Sequence, residues 1–329
     1  MGRVLTADTN AGKFGLMIAA ILLFAAVVGI ILFLATLFRG KLADRLTAYF
    51  YLLPTLLMLA VGLVYPGVRT IFQSFFDAAG NSFIGLDNYQ TIFGDSEQLK
   101  VLGNTVIWVL VTPFVATAIG LVYAILVDKS KFESFAKALV FLPMAISFVG
   151  ASIIWSFVYA YRPDQANVKQ IGLLNQIVVW LGGTPQNWLL INWLNTLLLI
   201  IVLIWIQAGF AMTILSAAIK AIPDDIIEAA RLDGVSTWGM FRFITLPAIR
   251  PAVVVVLTTI AIGTLKVFDI VRTMTGGQYG TSVIANEFYS QSFRSGNQGL
   301  GAALAVILFI MVIPIVVYNV RQLKRSEAL

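Results

Sequence analysis

The feature that most constrains this chain is a succession of long apolar runs with no charge in them. A helix crossing about 30 Å of hydrocarbon needs about 20 apolar residues. Residues 16–38, 49–68, 101–127, 138–161, 193–219 and 300–320 each meet that requirement without a single Asp, Glu, Lys or Arg. A seventh run, 252–265, is shorter and continues as "KVFDIV" to Val271. Lipid offers the backbone no hydrogen-bond partners, so runs of this length are expected to be helices. Residues 171–181, "IGLLNQIVVWL", are too short to cross and predict an interfacial or packed helix. The first run is longer than a signal-peptide core and has no small-residue cleavage site after it, so it reads as a retained first helix. The expectation is an all-α integral membrane protein with about seven transmembrane helices.

Composition agrees. Of 329 residues 59% are apolar and 12% charged, and the mean hydropathy is +0.91; a soluble domain carries about 25% charged residues. There is no Cys and no His. This removes disulfides, thiolate nucleophiles, zinc fingers and catalytic histidines. No G-x-x-x-x-G-K-[ST] loop is present either, so ATP binding by that route is excluded. The usual enzyme, metal and cofactor constellations are missing.

Lys and Arg placement sets the expected orientation. With the C-terminus inside, thirteen of the 22 fall in short inner loops: Arg39, Lys41 and Arg45; Lys129, Lys131 and Lys137; Lys220, Arg231, Arg242 and Arg250; Arg321, Lys324 and Arg325. That puts the N-terminus outside and the 220–251 loop in the cytoplasm. Three classes then stay open: a channel or secondary transporter, a membrane enzyme, or a membrane subunit driven by a partner. An ion-coupled transporter buries ionisable residues in its spans. Only the sixth span has any, Lys266 and Asp269, at roughly 5–10 Å outward of the midplane for a 1.5 Å rise per residue. An i, i+3 pair of opposite sign is expected to neutralise itself.

The loop "KAIPDDIIEAARLDGVSTWGMFRFITLPAIRP" at 220–251 reads as two short helices. Pro223 suits a first helical position, with Asp224 and Asp225 where the dipole favours acids. Ile226, Ile227, Ala230 and Leu232 form an apolar side, and Gly234 suits a left-handed C-terminal cap. Ser236 is expected to cap a second helix running through Ile244, which Pro247 stops. Such a hairpin either inserts into another protein or lies on the lipid surface as a connector.

"EAARLDG" (228–234) followed by "ITLP" (244–247) resembles the EAA loop of permease subunits in bacterial ABC importers: E-A-A, three residues, G, then I-x-L-P. "IPDD" and "AIRP" are similar to the carbohydrate, maltose-type branch. "FDIVRTMTGGQYGTSVIANEFYSQSF" (268–293) resembles that branch's "FD-x-IY-x-LTGGGP" region, with Gln278 in place of a glycine, the following Pro absent and Arg272 where Tyr is common. The resemblance covers 49–329 and implies a type I importer permease core there. Residues 1–48 would be an N-terminal tail and an extra first helix, with the C-terminus cytoplasmic in the bacterial inner membrane. It also implies that Glu228, Ala229, Ala230, Asp233 and Gly234 form a coupling helix seated in a cytoplasmic ATPase. ATP and Mg would be bound by two such ATPase subunits, and the other partners would be a second permease and an external solute-binding protein. The expected cargo is a di- or oligosaccharide such as an α-glucoside; the alternatives are another solute, such as glycerol phosphate or a polyamine, or a stand-alone transporter.

Matching "WIQAGF" to the family's fifth span implies Ile206, Gln207 and Phe210 as solute contacts, and the helix after the loop implies Ile260, Gly263, Thr264 and Val267. The latter four are spaced i, i+3, i+4, i+7 on one helix face. Gly263 and Thr264 read equally as small residues for helix packing, and Phe210 as a packed or lipid-facing ring. Pro54, Pro113, Pro143 and Pro314 mark candidate bends, while Trp155, Trp193 and Trp205 read as interface anchors or packing.

Overall fold

A computed structural model of the protein describes residues 10–36, 41–128, 132–163 and 169–326. The tail 1–9 and the charges Arg39, Lys129 and Lys131 invoked for orientation lie outside the described residues. Among the described residues the structure is helical, apart from one isolated bridge between Phe76 and Phe83. The chain divides into two units, Met1–Thr70 and Ile71–Leu329.

In the first unit α1 (Asn10–Thr36) packs on α2 (Lys41–Leu59), which passes through a π-helical turn, Ala60–Val64, into α3 (Tyr65–Gln73). The π turn and α3 bury no side chain. Leu56, Leu63 and Val68 are exposed, as suits helices whose solvent is hydrocarbon.

The second unit holds α4 (Asp87–Gly94), α5 (Ser96–Val127), α6 (Glu133–Phe141), α7 (Phe148–Val158), α8 (Leu173–Trp180) and α9 (Leu194–Lys220). It continues with α10 (Asp224–Leu232), α11 (Thr237–Met240), α12 (Leu246–Ala248), α13 (Arg250–Leu265), α14 (Asp269–Met274), α15 (Ile284–Tyr289) and α16 (Gln298–Ser326). Asp95 starts α5 by accepting a bond from Glu97 N at 3.0 Å. With 32 residues, α5 is about 48 Å long at 1.5 Å per residue and overshoots the hydrocarbon.

The central pair is α5 with α9, and the two run parallel. Both start beside the 275–283 loop, where Asn104 Nδ2 donates to Gly280 O at 2.7 Å and Asn195 Nδ2 to Tyr279 O at 2.9 Å. Further along, Gly120 lies directly against Ala211 and Met212. Trp108, Leu199, Ile200, Met212, Leu215 and Ile260 are fully buried around this seam. Gly209 gives α9 a second close approach, since a Cβ there would lie 2.5 Å from Val140 O on α6. Small residues at such crossings let helix backbones approach in lipid.

Among the described residues five helices are long and apolar enough to span, and two bent pairs counted as one span each make seven. The fourth run is not one straight helix: α6 and a 3-10 turn at Leu142–Ala145 meet α7 at 101°. Pro143 sits in that turn, and Ser147 caps α7 by accepting from Gly150 N at 3.1 Å. Pro54, Pro113 and Pro314 instead stay inside helices. The sixth run also differs from expectation. It ends at Leu265, and Lys266 and Val267 turn back to Gly263 O and Thr264 O before α14 begins. Lys266 and Asp269 therefore flank a helix break rather than share a helical face, and no ion pair joins them among the described residues.

Pro247 does not stop the second loop helix. A π turn at Phe241–Thr245 precedes it and Pro247 enters the first turn of α12, where its missing N–H costs nothing. The chain bends by 67° only after Ala248. The short 171–181 run forms α8, anchored by the fully buried Asn175. Trp155 packs edge-on against Trp205 at 5.8 Å, whereas Trp193 is 76% exposed.

Candidate functional site

The 220–251 loop is a helical hairpin displayed beyond the ends of α5 and α9. Helix α10 starts at Asp224, so Pro223 is the residue before the helix rather than its first. Its far end is a paired C-terminal cap. Gly234 has φ +75°, Gly234 N donates to Arg231 O and Val235 N to Ala230 O, both at 3.1 Å. The two bonds satisfy carbonyls the helix end would otherwise orphan. Ser236 then caps α11, accepting from Gly239 N at 3.2 Å.

The apolar residues of α10 divide. Ala230 is buried and Ile227 packs against the core, while Ile226 and Leu232 point away. Leu232 is 89% exposed. Glu228, Ala229 and Asp233 are also exposed, and so are Trp238 on α11, which packs on Phe241 at 5.4 Å, and Phe243 in the π turn after it, which carries the Arg242 guanidinium over its ring at 5.6 Å. Exposed apolar side chains on a segment that also carries charges are the kind that mark an interaction face.

The candidate solute residues separate into two groups. Ile206, Ile260, Thr264 and Val267 are buried, and Thr264 Oγ1 donates to Ile260 O at 2.8 Å within its own helix. Gly263 is exposed, Gln207 and Phe210 are half-buried. The structure brings Gln207 and Gly263 together: a Cβ on Gly263 would lie 3.9 Å from Gln207 Nε2. The Gln207 amide has no hydrogen bond among the described residues. A half-buried amide beside an open glycine is a polar opening at the α9–α13 contact.

A further cluster had no signal in the sequence beyond the charges counted for orientation. Asp128, at the end of α5, accepts Lys137 Nζ at 2.6 Å and Ser216 Oγ at 2.7 Å. Lys137, on α6, also reaches Glu133 at 2.7 Å and Ser216 Oγ at 2.5 Å. Lys220, the last residue of α9, pairs with Glu133. Glu133 and Lys137 are an i, i+4 pair on α6, but only three-dimensional folding brings them to Asp128, Ser216 and Lys220, since Lys137 and Ser216 are 79 positions apart.

Residues 100–325 match the family model of the binding-protein-dependent transport system inner membrane component. The chain belongs to that family. The permease is 48% identical over 279 residues to the "Osmoprotective compounds uptake permease protein GgtC" of Synechocystis sp., covering 85% of this chain and 99% of that one. It is 46% identical over 288 residues to the "Alpha-glucoside transport system permease protein AglF" of Rhizobium meliloti, covering 87% and 85%. Among solved structures, a bacterial ABC transporter involved in the import of the acidic polysaccharide alginate aligns with TM-score 0.73 and 22% identity. The alignment covers 87% of this chain and 99% of that one, and at this identity it shows the shared fold. The permease is thus a multi-pass, all-helical membrane subunit of an ABC importer, which removes the stand-alone transporter as a reading.

Proposed function

We propose that this permease carries a neutral di- or oligosaccharide of the α-glucoside class across the bacterial inner membrane. In this reading ATP and Mg are held and turned over by two partner ATPase subunits, and this chain is not catalytic. A second permease completes the pathway and an external solute-binding protein delivers the sugar. The 220–251 hairpin faces the cytoplasm, the N-terminus lies outside and the C-terminus inside.

The observation that carries the reading is the Gln207–Gly263 opening. It offers an unpaired amide and a bare backbone edge, with the Phe210 ring one turn along α9. Neutral sugars need donors, acceptors and an apolar wall rather than a countercharge. We assign Gln207, Phe210 and Gly263 to solute contact, and the buried Ile206, Ile260, Thr264 and Val267 to holding that wall from behind. Relatives support the class: besides the alpha-glucoside permease, a "Trehalose/maltose transport system permease protein MalF" of Thermococcus litoralis is 29% identical over 298 residues. A phosphate cargo would favour an arginine or lysine facing the solute.

At the cytoplasmic end we assign Glu228, Ala229, Ala230, Asp233 and Gly234 to the helix that docks on the ATPase. The exposed Leu232 supports this, because water does not favour an apolar side chain left uncovered. Uptake of labelled maltose, trehalose and glycerol phosphate by the reconstituted importer tests the cargo. Gln207→Ala and Phe210→Ala are expected to lower sugar uptake several-fold with assembly intact, and Thr264→Val to have a smaller effect. Uptake of glycerol phosphate alone refutes the sugar class; indifference to all three substitutions moves the contact site elsewhere.

A further inference from the structure

The hairpin has to act on the spans through its root, and the root is where the ionic cluster sits. Helix α10 starts four residues after the last residue of α9, and α12 leads into α13 at Arg250, so load on the hairpin enters α9 at Lys220 as well as α13 at Arg250. Within the last turn and a half of α9, Ser216 and Lys220 are tied to Asp128 and Glu133. Lys137 completes the ring by reaching Asp128, Glu133 and Ser216 together, all within 2.7 Å. The two carboxylates and two ammonium groups balance in charge. The side chain of Asp128 is only 12% exposed and Ser216 only 2%, so the centre of the ring is largely shielded from water and salt.

The ring fastens the ends of α5 and α9 to the start of α6. Higher up, the same three helices meet at glycines with no room for a Cβ, Gly120 between α5 and α9 and Gly209 between α9 and α6. Packed interiors move as bodies rather than deform continuously. With the glycine seams above and the ring below, α5, α6 and α9 form one body whose lower end is the hairpin root. Gln207 lies on this body, nine residues before Ser216, or about 14 Å along α9 at 1.5 Å per residue.

We propose that Asp128, Lys137 and Ser216 are positioning residues for energy coupling: they clamp the hairpin root so that movement of the docked hairpin is passed to α5, α6 and α9 as a unit. Glu133 and Lys220 form the outer, more exposed part of the clamp. The proposal rests on the ATPase-docking role assigned to the hairpin. Without the clamp, α9 can twist at its last turn and the force from hydrolysis is dissipated there.

The test uses the purified importer with its ATPase subunits and cognate binding protein in proteoliposomes. ATP hydrolysis is measured with and without the binding protein, alongside uptake of labelled maltose. Lys137→Met is expected to leave the complex assembled and basal hydrolysis within twofold of wild type. Stimulation by the binding protein should fall at least fivefold, and maltose uptake per ATP with it. Lys137→Arg, which keeps the charge and reach, should retain at least half of the stimulation. Where Lys137→Met lowers assembly, Ser216→Ala is read by the same ratio and should show a loss of at least twofold. Wild-type stimulation in Lys137→Met, or in Ser216→Ala where that variant carries the test, overturns the clamp. A Lys137→Arg variant as defective as Lys137→Met also overturns it. Glu228→Lys runs in parallel. If it alone loses stimulation, the clamp falls and the docking hairpin stands; if it keeps wild-type stimulation, the docking assignment itself falls.

Discussion

Gly120 offers the sharpest test of the packing that supports the site. A Cβ built on it would lie 2.7 Å from Met212 N and 2.9 Å from Ala211 C, and closer still to Ala211 Cβ. Heavy atoms of this kind rest about 3.5–4.0 Å apart, so Gly120→Ala must part α5 and α9 by roughly 1 Å or distort one backbone. Overpacking costs about 1–3 kcal/mol; since two of the three atoms are backbone and cannot rotate away, the upper end applies. Alanine returns about 1 kcal/mol through helix propensity, leaving a net loss of about 2 kcal/mol. Gly103 is the internal control. It lies on the same helix with nothing within 4 Å of its virtual Cβ, so Gly103→Ala should gain up to about 1 kcal/mol. The two variants should then differ by about 3 kcal/mol, or roughly 6–12 °C in apparent melting midpoint for a unit of this size. The assay is thermal unfolding of the purified chain in detergent at one scan rate, because irreversible unfolding makes midpoints rate-dependent. A Gly120→Ala chain that melts at or above wild type refutes the close seam, and so does a Gly103→Ala chain that falls as far.

Two further outcomes follow from single residues. Gly234→Val puts a β-branched residue at φ +75°, where an L side chain costs about 1–2 kcal/mol; limited trypsin digestion at Arg231 and Arg242 should quicken while membrane insertion is unchanged, and wild-type digestion would refute the strained cap. Asn175→Leu removes two bonds given to Ala160 O and Gln186 O and two accepted from Gln186 N and Trp188 Nε1, all at 2.8–3.0 Å. Each buried group left unpaired costs about 1–3 kcal/mol, so hydrogen exchange across 171–191 should accelerate with α5 and α9 still protected, and unchanged exchange would refute the anchor.

The spans were legible because length and absence of charge are one-dimensional properties, and lipid tolerates little else. The cap at Gly234 was legible for a similar reason, since its backbone demand is local to five residues. The bends were not. Pro143 sits at a 101° break while Pro113 and Pro314 lie inside continuous helices, and the residue itself is the same in each case. What differs is whether neighbouring groups, such as the Ser147 cap, stabilise a new helix start. The clamp was invisible for a stronger reason: apart from the i, i+4 pair Glu133 and Lys137, its side chains come from separate helices and meet only when α5, α6 and α9 are assembled.

The solute face falls between these cases, and the physics of a buried helix explains why. Of the four residues the spacing puts on one stripe, 260, 263 and 264 lie on α13 and Val267 lies beyond its end; that helix is apolar on nearly every side, "VVVVL" through "IAIG". A helix without a polar face has no side that prefers water to its neighbours, so the sequence cannot set its rotation. Packing sets it instead, turning Ile260 and Thr264 into the core and leaving Gly263 open. On α9 the uniformity is broken by Gln207, an amide that apolar surroundings disfavour unless it finds a partner. The structure brings that amide to the open Gly263 of the neighbouring helix. A Gly263→Val substitution should therefore act at the amide rather than on the fold: it fills the opening, lowers sugar uptake as Gln207→Ala does, and adds little to that variant's defect when the two are combined. Fully additive losses would show that the two residues serve different sites.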